Sequence, residues 1–102
     1  SQTNKLEDIS DADTIEALAD VGLSFGVSVW HLCDLLRLEY PMRGHYDRYA
    51  QRFADVPGVV RHDNCFMLSS TEWARRLVGK SESEIATLLT GSNRPNVNGD
   101  GR

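Results

Sequence analysis

The sequence predicts an α+β fold that is mainly helical and carries one small β-hairpin. Several segments have apolar residues at helical spacing, two short β-prone runs are joined by turn residues, and glycine or proline separates most segments. The chain has 102 residues, 40% hydrophobic and 25% charged, with a formal net charge of −4. This composition indicates one domain. No apolar run approaches the ~18 residues that a membrane-spanning helix needs, so no membrane partner is expected.

The first helix is predicted from a capping pattern. Asp13 and Glu16 are three residues apart, the spacing at which an N-cap side chain and a later carboxylate satisfy early backbone N–H groups. The helix is predicted to run from Asp13 to about Val21 and to end at Gly22. The LSF segment after Gly22 is predicted either as a brief strand or as the turn into the next helix.

Two further helices are predicted in the middle of the chain. Ser28 is a good N-cap for a second helix over 29–37, and Pro41 prevents that helix from continuing. A third helix is predicted over 44–54, because its apolar residues recur at i, i+3, i+4 and i+7. These apolar residues are Tyr46, Tyr49, Ala50 and Phe53.

A β-hairpin and two short helices are predicted to complete the domain. The hairpin covers 59–68, and Asp63 and Asn64 supply its turn. Each following helix opens with a Ser-x-x-Glu capping box and closes at a glycine. The boxes are Ser69 to Glu72 and Ser81 to Glu84, and the glycines are Gly79 and Gly91.

Both ends of the chain are predicted to be loose. Residues 1–12 are expected to form a flexible acidic arm, 13–90 the single domain, and 91–102 a disordered tail rich in Gly and Asn. The first residues carry acids where a secretory signal carries cations, so we expect an intracellular protein, in the cytoplasm or in the nucleoid or nucleus. Cys33 and Cys65 are too few for a disulfide framework and are expected to be buried, reduced thiols.

Charge is distributed unevenly along the sequence. Residues 1–36 hold one cation against seven acids, whereas 37–80 hold eight cations against five acids. A basic face can therefore exist within a chain that is acidic as a whole. All three histidines lie in or next to the positive segment.

Three helices followed by a hairpin resemble the winged-helix branch of the helix-turn-helix superfamily, over residues 13–69. In that family the third helix is presented to nucleic acid and the hairpin contacts the backbone or a groove. The resemblance implies a regulator that binds double-stranded DNA, as a homodimer because each protomer would neutralise few phosphates. The implied contact residues are Arg43, His45, Arg48, Gln51, Arg52, Arg61 and His62.

A second register of the same superfamily competes with this one. The segment 21–36 also resembles a generic helix-turn-helix, with Gly26 at its turn. It would present Val29, Trp30, His31 and Asp34, which offer almost no positive charge to phosphates. We therefore rank this register below the first.

The alternative function is a protein-interaction or assembly module, for which winged helices are also used. Its signature would be an exposed apolar patch around Trp30, or around Trp73 in the final helices. The position of the acidic first helix separates the two hypotheses. If it lies beside the third helix, the positive face is cancelled and the interaction hypothesis gains; if the two lie on opposite sides, DNA binding gains.

Neither a cofactor nor catalysis is expected. His31, Cys33, His62 and Cys65 are residue types that zinc prefers. However, residues two apart on a helix point about 200° away from each other, so His31 and Cys33 are not expected to share a metal. The sequence has no GxSxG, HExxH, P-loop or dinucleotide glycine pattern, which argues against an enzyme.

Overall fold

The computed structural model describes residues 3–23 and 25–91, which contain a 3₁₀ turn, five α-helices and three short strands. The predicted α+β class is confirmed. None of the helices in these residues is long and apolar enough to cross a membrane. In chain order the elements are the 3₁₀ turn Leu6–Asp8, α1 Asp11–Val21, β1 Val27–Ser28, α2 Val29–Leu36, α3 Tyr46–Ala54, β2 Val59–His62, β3 Cys65–Leu68, α4 Ser70–Leu77 and α5 Glu82–Thr90.

The three strands form an antiparallel sheet with β3 at its centre. Strand β3 pairs with β2 to give the predicted hairpin, and Asp63 takes the left-handed conformation that its turn requires, with φ 57°. On its other side β3 pairs with β1, where Val27 lies opposite Phe66. The strand after α1 is therefore Val27–Ser28 and not the LSF segment, of which residue 24 lies outside the described part. Burial of Val27 against the sheet selects this position.

The core lies between the helices and the sheet. Its largest fully buried side chains include Phe53 from α3, Phe66 from β3 and Leu32 from α2. The rings of Phe53 and Phe66 meet edge to face, with 5.8 Å between their centroids. This contact joins the third helix to the central strand and fixes which face of α3 is turned outward.

Serine caps begin four of the helices. Ser28, Ser69 and Ser81 cap α2, α4 and α5 as predicted, and Ser81 with Glu84 forms the complete capping box. Helix α1 begins earlier than predicted. The cap is Ser10, whose Oγ accepts a hydrogen bond from the Asp13 N–H at 3.0 Å.

Three helix ends also differ by one or two residues from the prediction. Helix α3 begins at Tyr46, because Gly44 has a φ of +86° that a helix does not accommodate. Helix α2 ends at Leu36, since Arg37 takes the left-handed conformation. Helix α4 ends at Leu77 with Val78 as its C-cap, whereas α5 ends at Thr90 with Gly91 as its C-cap, as predicted.

The segment before α1 is packed, in contrast to the predicted flexible arm. Leu6 and Ile9 are buried in the core, and the Asn4 N–H donates to the Arg37 carbonyl at 2.7 Å. Burial of two apolar residues three positions apart, together with the hydrogen bonds of Asn4, holds this otherwise polar stretch against the domain. The predicted disordered tail falls almost entirely on 92–102, outside the described residues.

Candidate interaction surface

Helix α3 turns a mixed-charge face outward. Tyr49, Ala50 and Phe53 recur at helical spacing and are buried against the core. The residues left exposed on the helix are Asp47, Arg48 and Gln51. The Gln51 side chain donates to the Asp55 carboxylate at 2.7 Å, so its amide is engaged within the chain.

The acidic start of the chain lies beside α3 and pairs with its arginines. Arg48 contacts Glu7 at 3.0 Å, and Arg52 contacts Asp11 at 3.0 Å while it also donates to the Ile9 carbonyl. A backbone hydrogen bond and the hydrogen bond from Arg48 hold the pKa of Glu7 below its usual value, so this carboxylate is ionised at neutral pH. The two arginines that were predicted to contact phosphates are thus neutralised by the chain itself.

The other predicted nucleic-acid contacts lie in the loop before α3 and in the hairpin. Arg43 and His45 are exposed, and neither side chain has a partner within residues 3–23 and 25–91. The Arg61 Nε donates to the Asp63 carbonyl, and its guanidinium lies 5.7 Å from the centre of the Phe66 ring. His62 Nδ1 is 3.5 Å from an Asp63 carboxylate oxygen. All four residues are exposed, as Arg48 is, but acidic or aromatic groups adjoin both hairpin residues.

The two tryptophans proposed for protein contact have different environments. Trp73 on α4 is only 3% exposed and belongs to the core, so its assignment to an interaction surface was wrong. Trp30, in the first turn of α2, is 45% exposed. The sequence did not decide the exposure of Trp30, and the structure places its ring at the surface.

Trp30 is the centre of an exposed aromatic cluster. Its ring centroid is 5.5 Å from that of Tyr40 and 5.8 Å from that of Tyr46, with interplanar angles of 76° and 47°. Tyr40 is 52% exposed, and Met42 in the same loop is 71% exposed. We call Trp30, Tyr40 and Tyr46 the aromatic corner. From the sequence, Tyr46 was placed among the apolar residues of the third helix, with no link to Trp30.

The loop between α2 and α3 builds the aromatic corner. Arg37 ends α2 in the left-handed conformation, and the chain turns back so that Tyr40 packs on Trp30. The Tyr40 hydroxyl donates to Asp34 Oδ1 at 2.8 Å. This hydrogen bond to a carboxylate raises the pKa of Tyr40 above its usual value, and it fixes the orientation of the ring.

The candidate zinc ligands do not assemble into a site. Cys33 is fully buried, and burial raises the pKa of its thiol to about 11, which disfavours the thiolate that metals require. In the part of the chain that the structure describes, no three His, Cys, Asp or Glu side chains come together as metal ligands.

Comparison with known proteins adds no relative to these observations. No protein-family model, no curated protein and no solved structure matches the chain. Its function has to be inferred from its own fold and surface.

Proposed function

We propose that this chain is a non-catalytic protein-interaction domain of the winged-helix type, which presents the aromatic corner to a partner protein. The observation that carries the proposal is the exposure of Trp30 and Tyr40, whose rings are held together at the surface. Protein interfaces are enriched in Trp, Tyr and Met, and a few such residues supply most of the binding energy. Met42, exposed in the same loop, adds to this surface.

The order of elements supports the winged-helix type. The small strand β1 lies between α1 and α2, and the β2–β3 hairpin follows α3 directly. Strand β3 joins the hairpin to β1, so the three helices and the sheet form one body. An intracellular location, in the cytoplasm, nucleoid or nucleus, is part of the proposal, and the free thiols of Cys33 and Cys65 agree with it.

The charge of α3 favours a protein partner over nucleic acid. Arg48 and Arg52 are paired with Glu7 and Asp11, and each pair removes one cation from the surface that would face phosphates. Affinity for nucleic acid depends strongly on the number of phosphates that a protein neutralises. The acidic start of the chain therefore lies beside the α3 arginines and weakens binding of nucleic acid to this helix.

Site-specific photo-crosslinking tests the proposal. A benzoylphenylalanine at position 40, incorporated in the native cell, is expected to give an adduct that protease removes and nuclease leaves intact. The matched control places the same group at Val78, which is 78% exposed and is the C-cap of α4, outside the loop that builds the aromatic corner. Trp30→Ala in the same chain is expected to abolish the adduct at position 40, because it removes the centre of the aromatic corner.

Besides the absence of any adduct from position 40, three outcomes would contradict the proposal. An adduct that nuclease destroys would indicate nucleic acid at this surface. An adduct of two copies of the chain would indicate a homodimer in place of a separate partner. Equal adducts from positions 40 and 78 would indicate non-specific contact with exposed apolar residues.

Nucleic-acid binding is the second candidate, and the exposure of Arg43 and His45 favours it. We expect the double change Glu7→Gln and Asp11→Asn to release Arg48 and Arg52 and so to strengthen binding to duplex DNA. The increase should be about tenfold at low salt, with a log–log salt slope steeper by up to about two, because each newly available cation neutralises up to one phosphate. Fluorescence anisotropy at two salt concentrations measures both quantities.

The control for this change has the same net charge. Asp8→Asn with Asp13→Asn also removes two acids, but the structure pairs neither with an arginine in the described residues. Its salt slope is expected to stay close to that of the unchanged protein. The contrary result would be that the unchanged protein already binds DNA in the micromolar range with a steep salt slope. If the double change Arg48→Ala and Arg52→Ala then abolishes this binding, nucleic acid becomes the first candidate.

A further inference from the structure

We infer that the aromatic corner binds an arginine side chain of the partner protein. This inference rests on the proposed function and adds to it the chemistry of the group that is recognised. Three features of the surface lead to it. The Asp34 carboxylate forms no ion pair within the described residues, the aromatic rings lie at an angle to each other, and the C-terminal end of α2 contributes negative potential.

Asp34 is an exposed carboxylate beside the aromatic corner. It accepts a hydrogen bond from the Tyr40 hydroxyl, and this leaves Oδ2 available to an outside donor. Within residues 3–23 and 25–91 this carboxylate forms no ion pair. The Arg37 backbone N–H donates to the Asp34 carbonyl, but neither the Arg37 nor the Arg43 guanidinium pairs with the carboxylate. The acceptor is therefore held in place, and the described chain provides no cation for it.

The position of Asp34 in α2 makes binding of a cation more favourable. It lies in the last turn, where the helix dipole already contributes negative potential, and no basic residue occupies that turn. A carboxylate is unfavourable at this end of a helix, whereas a bound cation would be stabilised by both the carboxylate and the dipole. This arrangement gives the surface a charge preference that the aromatic residues alone would not have.

The rings supply the second attraction. Aromatic faces carry negative electrostatic potential and attract a cation placed over them. The rings of Tyr40 and Tyr46 are inclined by 76° and 47° to the indole of Trp30. Trp30 and Tyr40 are about half exposed and supply the accessible ring surface, whereas Tyr46 packs partly against the core. Indole is the most favourable ring for such contact, and Trp30 is the member that touches both others.

An arginine fits this surface better than the other biological cations. A planar guanidinium stacks on an aromatic face and, in the same plane, donates N–H groups to a carboxylate. A trimethylated lysine has no N–H group for Asp34, and it benefits most from a closed cage, whereas Trp30 and Tyr40 are about half exposed. An unmodified lysine forms the ion pair but cannot stack.

Titration with small probes tests the inference without knowledge of the partner. The probe is N-acetyl-arginine amide, and the readout is the indole N–H signal of Trp30 in an NMR spectrum of the full chain. We expect saturable shifts in the millimolar range, weaker shifts with the lysine and trimethyl-lysine analogues, and none with the citrulline analogue. Citrulline retains the shape of arginine but carries no charge.

Two isosteric variants show whether Asp34 contributes. Asp34→Asn keeps an oxygen that accepts from Tyr40 but removes the charge, and we expect it to weaken arginine binding about fivefold. Asp47→Asn, on the exposed face of α3, is the matched control and is expected to change binding less than about twofold. Retained dispersion of the NMR spectrum verifies that both variants are folded.

The outcomes separate this inference from the proposed function. Equal binding of citrulline and arginine, equal binding by Asp34→Asn and the unchanged protein, or no shift with arginine would overturn the inference. The proposed function would still stand if position 40 gave its specific protein adduct. If position 40 gave no adduct in a chain that retains Trp30, the proposed function would be overturned, whatever the probes showed.

Discussion

Phe66→Ala is expected to lower the free energy of unfolding by about 4 kcal/mol, a large part of the roughly 5–15 kcal/mol that holds a small domain folded. Phe66 is fully buried at the centre of the sheet, and its ring packs edge to face on Phe53 from α3. Its backbone lies opposite Val27 on one side and Arg61 on the other. Alanine would leave a cavity where β1, β2 and α3 meet. Urea unfolding followed by circular dichroism measures the loss.

The matched control lies on the neighbouring strand. Val60 in β2 is 43% exposed, and Val60→Ala is expected to cost less than about 1 kcal/mol, since it removes an exposed side chain and some β-propensity. A cost below about 1.5 kcal/mol for Phe66→Ala would contradict the buried Phe53–Phe66 contact, because large-to-small changes in a packed core cost more.

The elements that could be predicted are those with short-range chemical signals. Ser28 caps α2 through a residue three positions away, and the Ser81–Glu84 box uses the same spacing. The hairpin follows from its turn residues in the same way. Such hydrogen bonds are local, so the sequence around them is sufficient to predict them.

The elements that were missed depend on contacts between distant residues. The Asn4 N–H bonds to the Arg37 carbonyl, and Leu6 and Ile9 are buried by helices that come later in the chain. A short polar segment with two apolar residues has no periodicity that would reveal this packing. It was therefore predicted as a loose arm.

The candidate site shows the same limit. Trp30 and Trp73 both lie on short helices that follow a serine cap, yet one is exposed and the other is buried. Arg48 pairs with Glu7 across 41 positions of sequence. The sequence could only say what the position of the acidic first helix would mean. The folded chain shows that the acids beside α3 are Glu7 and Asp11, both predicted to lie in the loose arm.

Gly91→Ala is expected to detach α5 from α1, at a cost of about 3 kcal/mol. At this crossing a Cβ on Gly91 would overlap the Val21 carbonyl, and a Cβ on Gly22 would lie 2.6 Å from the Leu89 oxygen. Both glycines also have positive φ. The Leu23 N–H donates to the same Leu89 carbonyl at 2.9 Å, so the two backbones are in direct contact and cannot separate slightly without loss of this bond.

The free-energy cost of Gly91→Ala cannot exceed the energy with which α5 packs on the domain, and this energy is small because α5 contains no buried side chain. The domain can therefore release α5 and remain folded elsewhere, but a detached helix of nine residues is too short to persist in water. We expect lower helicity by circular dichroism and about 100-fold faster amide exchange in α5, with β3 still protected. Gly79→Ala is the control, because Gly79 has a similar φ of +79° with open space around it, and it should cost only about 1 kcal/mol. Equal effects of the two changes would mean that backbone strain, and not the contact between α5 and α1, accounts for the loss.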